Sequence, residues 1–342
     1  MRGMRSTLVL LTVFVVIGGY AYFIESERPP ASATPPNEKV FTFEEDDVTE
    51  IHVTTGAGEV TELERADDGD AWEITAPIRA TADETAVSSI ARSLASLEVR
   101  RVVEEDASDL TPYGLSEPSV DLAFALDDAA DLRRLLIGDT TPTGADRYAK
   151  LGDRGRVFLI SAALESTFNR GTFALRDKAI LDFDRDAVDR FETVAADRTV
   201  RLAKEDNDWR LTEPFEARAD FSSVEGLIGR LNTGQMGAIE AENTDELEPY
   251  GLAEPRLIVT IGAGSAGTTL LIGNEAPAGT VYARDGARPV VFTIDASLAT
   301  DLDKDTSDYR DKDLFRFRPF NAARLVVERR DERLVFEKSD TP

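Results

Sequence analysis

Arginine, aspartate and lysine stand side by side twice, at 176–178 and again at 310–312. A carboxylate between two cations could take part in binding an anion, or have its own proton affinity lowered by its neighbours. The competing expectation is an ion-pair cluster at a helix end, where the dipole favours positive charge. Because the triplet recurs with a larger unit, the structural expectation is preferred. "DFDRDAVD" at 182–189 begins like a calcium loop. It lacks the glycine at loop position six and the glutamate at position twelve, and its counterpart "RFRPFNAA" at 316–323 carries no acid. A calcium site is therefore not expected there. His52 is the only histidine and there is no cysteine, which excludes disulfides, thiolate metal sites, cysteine nucleophiles and a His-rich zinc site within one chain. His52 sits in an alternating strand without a Ser or Asp constellation, so a catalytic triad is not expected. A pair of carboxylates for glycoside cleavage could be drawn from the 65 acids, but nothing singles one pair out. "GAGEV" (56–60) and "GAGSAG" (262–267) read as hairpin turns rather than phosphate loops. No catalytic, cofactor-binding or metal-binding residue is assigned, and the chain is not expected to be an enzyme.

The elements that must position these residues are bounded by bulk properties. The chain has 342 residues, enough for two or three domains, and 42% hydrophobic content is enough for folded cores. The formal net charge of -26 disfavours nucleic acid and flat docking on anionic lipid, and suits solubility, cation binding or a basic partner.

The N-terminus differs in character. Arg2 and Arg5 precede an uncharged run from Ser6 to Ile24. As a helix, about 18 residues span roughly 27 Å, close to the hydrocarbon thickness of a bilayer. Tyr20 and Tyr22 stand near the far end, where an aromatic belt would lie, and the two arginines favour a cytoplasmic start. "ASA" at 31–33 permits a cleaved signal peptide, but the run exceeds a usual signal core, so an uncleaved anchor is preferred. Residues 1–6 would be cytoplasmic, 7–24 would span the membrane, and 25–38 would form a Pro-rich, extended spacer. The bulk would then lie outside the cytoplasm.

The remainder is repetitive. "WEITAPIRATADETAVSSIARSL" from Trp72 matches "WRLTEPFEARADFSSVEGLIGRL" from Trp209. Val87, Ile90, Ala91 and Leu94 correspond to Val224, Leu227, Ile228 and Leu231, an i, i+3, i+4, i+7 helical face, with Asp83 and Asp220 as candidate caps. "DLTPYGLSEP" (109–118) returns as "ELEPYGLAEP" (246–255), and "LLIGD" (135–139) as "LLIGN" (270–274). "LRDKAILDF" (175–183) returns as "YRDKDLFRF" (309–317). A third copy begins, aligning Phe43, Phe183 and Phe317, then Ile51, Phe191 and Leu325, then Val60, Val200 and Leu334. This predicts repeat modules over 39–181 and 182–315 and a partial repeat over 316–342. The 317–338 hairpin is expected to complete the second module's sheet, so that truncation at 314 would destabilise it.

Each module reads as a β-hairpin, a helix, a short strand, the YGL turn, a run of strands and a closing helix. Asp-rich turns at 67–70 and 205–208 separate strands. After YGL come "VDLAFAL", "DLRRLLIG", "RYAKL" and "RVFLIS", with connections short enough for an antiparallel meander. Ser161 and Asp295 are expected to cap the closing helix. The fold class is α+β: an N-terminal transmembrane helix, two tandem antiparallel-sheet-plus-helices modules and a partial third. In the YGL phrase, Gly114 and Gly251 suit positive φ past a helical turn, with Leu110 and Leu115, and Leu247 and Leu252, packed as in a Schellman end. Tyr113 and Tyr250 are expected to bury the ring and bond a backbone group.

The anchor together with "YGLxEP", "LLIGD", "RVFLIS" and the "LRDK" segment resembles the domain of unknown function 4340 family, over nearly all of the chain beyond the linker. That resemblance implies a bacterial, anchored protein often encoded beside gliding-type ABC transporter components. It carries no reaction and no catalytic residue. The expected function is that of a membrane-anchored, extracytoplasmic, non-catalytic repeat protein, an accessory or scaffold of an envelope complex such as an ABC transporter. The expected location is the bacterial inner membrane, single-pass, with the bulk in the periplasm or cell exterior. A small-ligand or glycan-binding protein and an envelope hydrolase using a carboxylate pair are the alternatives.

Overall fold

Val120–Leu126 alternates valine, leucine and phenylalanine with smaller or polar residues, and each apolar side chain is buried while its neighbours are half-exposed. A strand with one face on a core and one toward solvent takes this form. The same alternation builds most of the chain. The computed structural model describes Tyr20 and residues 38–66, 71–127, 129–313, 322–330 and 332–338. Residues 7–19 and 21–24 of the expected anchor, nearly all of its spacer and the 67–70 turn lie outside the described residues. Among the described residues, no helix is long and apolar enough to cross a membrane.

The chain divides into two units between Asp177 and Lys178. The first contains β1 (Glu38–Lys39), β2 (Val48–Thr55), β3 (Val60–Arg65), β4 (Trp72–Ala76), β5 (Ala80–Thr81), α1 (Glu84–Ala95), β6 (Glu98–Val99) and β7 (Arg101–Glu104). After the YGL turn it continues through β8 (Val120–Leu126), β9 (Ala129–Thr140), β10 (Asp146–Leu151) and β11 (Val157–Ser161), and closes with α2 (Glu165–Phe168) and α3 (Thr172–Leu175). Nine strands form one antiparallel sheet in the order β5-β4-β3-β2-β8-β9-β10-β11-β7, and β1 pairs with β6. The strands from β8 to β11 form the meander that the short connections implied. The strand from Trp72 follows the Asp-rich 67–70 stretch as that stretch implied, whereas the two-residue strand from Ala80 has no signal of its own in the sequence. Pro77 and its brevity hide it.

The second unit repeats the plan. It contains β12 (Arg190–Ala195), β13 (Arg198–Glu205), β14 (Asp208–Glu213), β15 (Ala217–Arg218), α4 (Phe221–Asn232), β16 (Ile239–Ala241), β17 (Leu257–Ala263), β18 (Ala266–Ala276), β19 (Thr280–Asp285), β20 (Val291–Asp295), α5 (Ala296–Leu302) and α6 (Thr306–Tyr309). Its sheet runs β15-β14-β13-β12-β17-β18-β19-β20-β16, strand for strand the order of the first. Each unit has its own apolar core, and each long helix turns its expected face into it. Asp83 accepts a hydrogen bond from the Ala86 N–H at 2.9 Å, and Asp220 from Ser223 at 2.7 Å. These side chains satisfy one otherwise orphaned donor in each first turn. Asp295 caps α5 through the Ser297 N–H at 2.7 Å, whereas Ser161 stands at the equivalent place without a side-chain cap bond.

Two expectations are corrected here. The final hairpin, β21 (Arg324–Arg329) with β22 (Glu332–Glu337), is a two-stranded sheet of its own and does not extend the second unit's sheet. That sheet is already filled by β12 and β13 at the position which the hairpin would need, so truncation at 314 removes none of its strands. The three-way alignment also slips by one residue in the first copy. Val60 is 45% exposed, and Thr61, 0% exposed, takes the place of Val200. The pairing Ile51↔Leu63 spans one residue more than Phe191↔Leu202 or Leu325↔Phe336. The extra residue lies in the glycine turn at 56–59, and a one-residue slip moves a strand's side chains to the other face.

Candidate functional site

The repeated YGL phrase meets the repeated LLIG phrase. In the first unit Thr111–Tyr113 forms one 3₁₀ turn ended by Gly114, whose φ of 66° is left-handed. The Leu115 N–H bonds back to the Leu110 carbonyl at 3.2 Å, and Leu252 does the same to Leu247 at 3.0 Å. These are the six-to-one bonds of a Schellman-type end, and Leu115 and Leu252 are buried. Gly138 lies directly beneath the turn. A Cβ there would fall 2.1 Å from the Tyr113 carbonyl oxygen, and one on Gly273 would fall 2.1 Å from that of Tyr250. The two phrases are halves of one close backbone contact.

The tyrosines depart from expectation. Tyr113 is half-buried, its ring lies 5.1 Å from that of Tyr148, and its hydroxyl donates to the Glu104 carboxylate at 2.8 Å rather than to a backbone group. That bond to Glu104 raises the hydroxyl's pKa, with desolvation adding to it. Tyr250 repeats the ring contact, on Tyr282 at 5.1 Å, but Ala241 stands where the first copy has Glu104. The tilted ring contact belongs to the fold, and the carboxylate belongs to one copy.

The RDK triplets make the same backbone contacts in both units. Each follows a four-residue helix and runs extended past the start of the long helix. Arg176 bridges Ala82, and Arg310 bridges Ala219. The Asp83 N–H donates to the Leu175 carbonyl at 2.8 Å, and Asp220 to Tyr309 at 2.7 Å. Asp177 and Asp311 then donate their own N–H groups to Thr81 and Arg218. The Asp311 carboxylate lies 3.5 Å from Arg218, a residue outside the triplet whose place in the first copy is taken by Thr81. Each triplet thus fastens the end of its unit beside the helix N-terminus.

The other candidate residues lie in turns and on strands. "DFDRDAVD" contains a 3₁₀ turn at Arg185–Ala187, with Asp184 accepting from the Asp186 N–H at 3.0 Å and Asp189 accepting from the Gly264 N–H at 2.9 Å. His52, on β2, pairs with Glu50 on the same strand. Both Gly-rich stretches are hairpin turns, β2 to β3 and β17 to β18. Among the described residues, no group of three or more His, Cys, Asp or Glu is placed to hold a metal ion.

Two arrangements escaped sequence reasoning. Arg147 lies buried on β10 where the second copy has Val281; its Nε donates to the Gly138 carbonyl at 3.0 Å and it pairs with Glu165. Its guanidinium buttresses the strand under the YGL turn. In the second unit Glu225 of α4 accepts from Trp209 Nε1 at 2.9 Å and Lys204 Nζ at 3.0 Å. Burial opposes the charge of Glu225, but these bonds and the charges of Lys204 and Arg185 prevail and hold its pKa below the usual carboxylate value. A carboxylate with a depressed folded pKa contributes stability above its unfolded value, and loses it as pH falls through the folded one. Glu225→Gln is therefore expected to flatten the acid side of the second unit's stability curve. Denaturant midpoints between neutral pH and values below 4.5 check this; an unchanged acid slope would refute it.

The first unit also carries a groove of about 760 Å³, lined by Phe41, Leu132, Arg133, Arg134, Leu151 and Arg154 among others. Arg134 is held by Asp121 at 2.7 Å, and the Arg133 guanidinium lies 6.0 Å from the Phe43 ring centre. The second copy differs here: Thr268 and Thr269 replace the adjacent arginines, and Asp285 replaces Leu151. There Arg288 is tied to Asp285 at 2.8 Å and to the carbonyls of Ala179 and Ile180 at 2.7 and 2.8 Å.

The duplicated contacts agree with a family match. Residues 72–210 and 209–342 each match the domain of unknown function DUF4340. The chain belongs to the DUF4340 family. No curated protein and no solved structure matches it. The two matches begin at Trp72 and Trp209, inside the sheets of the two units. A DUF4340 match thus joins a module body to the hairpin that follows it, whereas the fold joins each body to the hairpin that precedes it.

Proposed function

We propose that this DUF4340 protein is a membrane-anchored, extracytoplasmic, non-catalytic repeat protein that serves as an accessory or scaffold component of an envelope complex, such as an ABC transporter. The observation that carries this reading is the fate of the repeated polar motifs. YGL, LLIG and RDK are engaged in turns, bridges and backbone contacts that hold each module together. The arginine-flanked apolar run before residue 25 supports an inner-membrane, single-pass anchor with the bulk outside. Crosslinking the full-length protein in its native membrane, followed by affinity purification, tests the proposal. Recovery of transporter subunits in fixed ratio is the expected result, and recovery of the protein alone would overturn it.

A second reading, binding of a small ligand or an envelope glycan, is favoured by the arginine-lined groove of the first unit. It rests on the difference between the copies at Arg133, Arg134 and Leu151. Concentration-dependent thermal stabilisation by one compound class, lost on Arg133→Ala, would mark it out from the scaffold role.

A further inference from the structure

Among the described residues, nothing covers the core face of the β21–β22 hairpin. Its positions match those of the folded hairpins: Leu325 stands for Ile51 and Phe191, Phe336 for Leu63 and Leu202, and Val327 and Leu334 for Val53/Thr61 and Thr193/Val200. All eight residues of those two hairpins are buried, at no more than 2% exposure. In the final hairpin, Leu325, Val326, Val327, Leu334, Val335 and Phe336 are 38–56% exposed. The hairpins β2–β3 and β12–β13 are flanked by further strands on both sides, whereas among the described residues β21 and β22 pair only with each other. An isolated two-stranded ribbon with apolar residues and open edges invites strand addition.

The charge pattern of β22 identifies what it adds to. We propose that β22 pairs antiparallel with β22 of a second copy of this chain, about a two-fold axis through Val335. The Lys338 N–H bonds to the Ala323 carbonyl at 2.9 Å, which fixes the alternation of the ladder. The backbone groups of Arg333, Val335 and Glu337 then point away from β21, free to pair outward. Centring on Val335 opposes Arg333 with Glu337 of the second copy, and Glu332 with Lys338. The same register opposes Leu334 with Phe336 and joins the two apolar faces into one. By symmetry every charged pair occurs twice, and no like charges meet. Opposite charges and apolar pairs across strands stabilise such a ladder, whereas like charges oppose it. Moving the centre to either neighbouring outward position loses the match. On the β21 edge the corresponding register, centred on Val326, opposes Arg324 with Glu328 but sets Arg329 against Ala323. The contact is isologous, so it closes as a dimer.

The absence of cysteine makes the test direct. In the full-length protein, Val335→Cys introduces the sole thiol, and the proposed axis brings it against itself within disulfide reach. Mild oxidation is expected to give a covalent dimer roughly tenfold faster than with Val326→Cys on the other edge. Glu332→Lys in the Val335→Cys background should slow the reaction by facing Lys338 of the second copy. Adding Lys338→Glu should restore the rate, an outcome that simple damage to the hairpin would not give. Crosslinking of Val335→Cys no faster than of Val326→Cys, or no rescue by the charge exchange, would overturn the proposal.

Discussion

Gly138→Ala is expected to destabilise the first unit by about 3 kcal/mol, the upper end of the usual cost of forced overlap in a packed interior. The added methyl would sit 2.1 Å from the Tyr113 oxygen and 3.0 Å from both the Gly114 carbonyl carbon and Leu115 Cγ. Neither side can retreat cheaply. Gly138 is on β9, which is held between β8 and β10, and its own carbonyl accepts from Arg147 at 3.0 Å and Ser119 at 3.3 Å. The opposing turn is fixed by the left-handed Gly114 and by the Leu115 to Leu110 bond. Gly273→Ala should act alike on the second unit, since its Cβ would meet Tyr250 at the same distance. Gly58→Ala is the control. Its φ is 80° but nothing lies within 4 Å of a Cβ, so the cost is left-handed strain alone, about 1 kcal/mol. Each unit holds one of the two tryptophans, Trp72 or Trp209, so fluorescence-detected denaturation in Trp72→Phe and Trp209→Phe backgrounds reports each unit separately. A Gly138→Ala loss no larger than that of Gly58→Ala would refute the close-contact account.

Trp209→Ala is expected to cost the second unit about 3–5 kcal/mol, the range for deleting a buried aromatic side chain. Trp209 is among the largest fully buried side chains, on β14 within the second core. Its ring lies 5.5 Å beneath the Lys204 ammonium, and its Nε1 donates to Glu225. Truncation therefore opens a cavity and also removes a donor from a partly desolvated carboxylate. Trp209→Phe keeps most of the packing and loses the hydrogen bond, so about 1–2 kcal/mol is expected. The gap between the two variants, read by circular dichroism during denaturation, separates packing from the polar contact. Equal losses would show that the bond to Glu225 dominates. The first unit should be unaffected in both, because its own core is built from other residues.

Periodicity and repetition made much of this architecture readable from sequence alone. The helix faces at Val87–Leu94 and Val224–Leu231 follow from apolar spacing, the two aspartate caps from residue type and place, and the meander after YGL from alternation with short connections. All of these are local, set by backbone geometry within a few residues, so a linear string contains them. Repetition added the two-module plan, and the anchor with the YGLxEP, LLIGD, RVFLIS and LRDK phrases added the family.

Tertiary structure decided whatever depended on approach between distant segments. That Gly138 is required by Tyr113, 25 positions earlier, is a matter of two backbones meeting, and neither phrase states it alone. The same holds for Tyr113 choosing Glu104 over a backbone group, and for Arg147 lying buried where a valine serves the other copy. The one-residue slip at Val60 shows why: a turn that gains a residue leaves the letters aligned while reversing the face. The final hairpin makes the point most plainly. It is apolar at all four positions that match buried ones in the other hairpins, but burial requires a facing surface, and the second sheet had already given that place to β12 and β13.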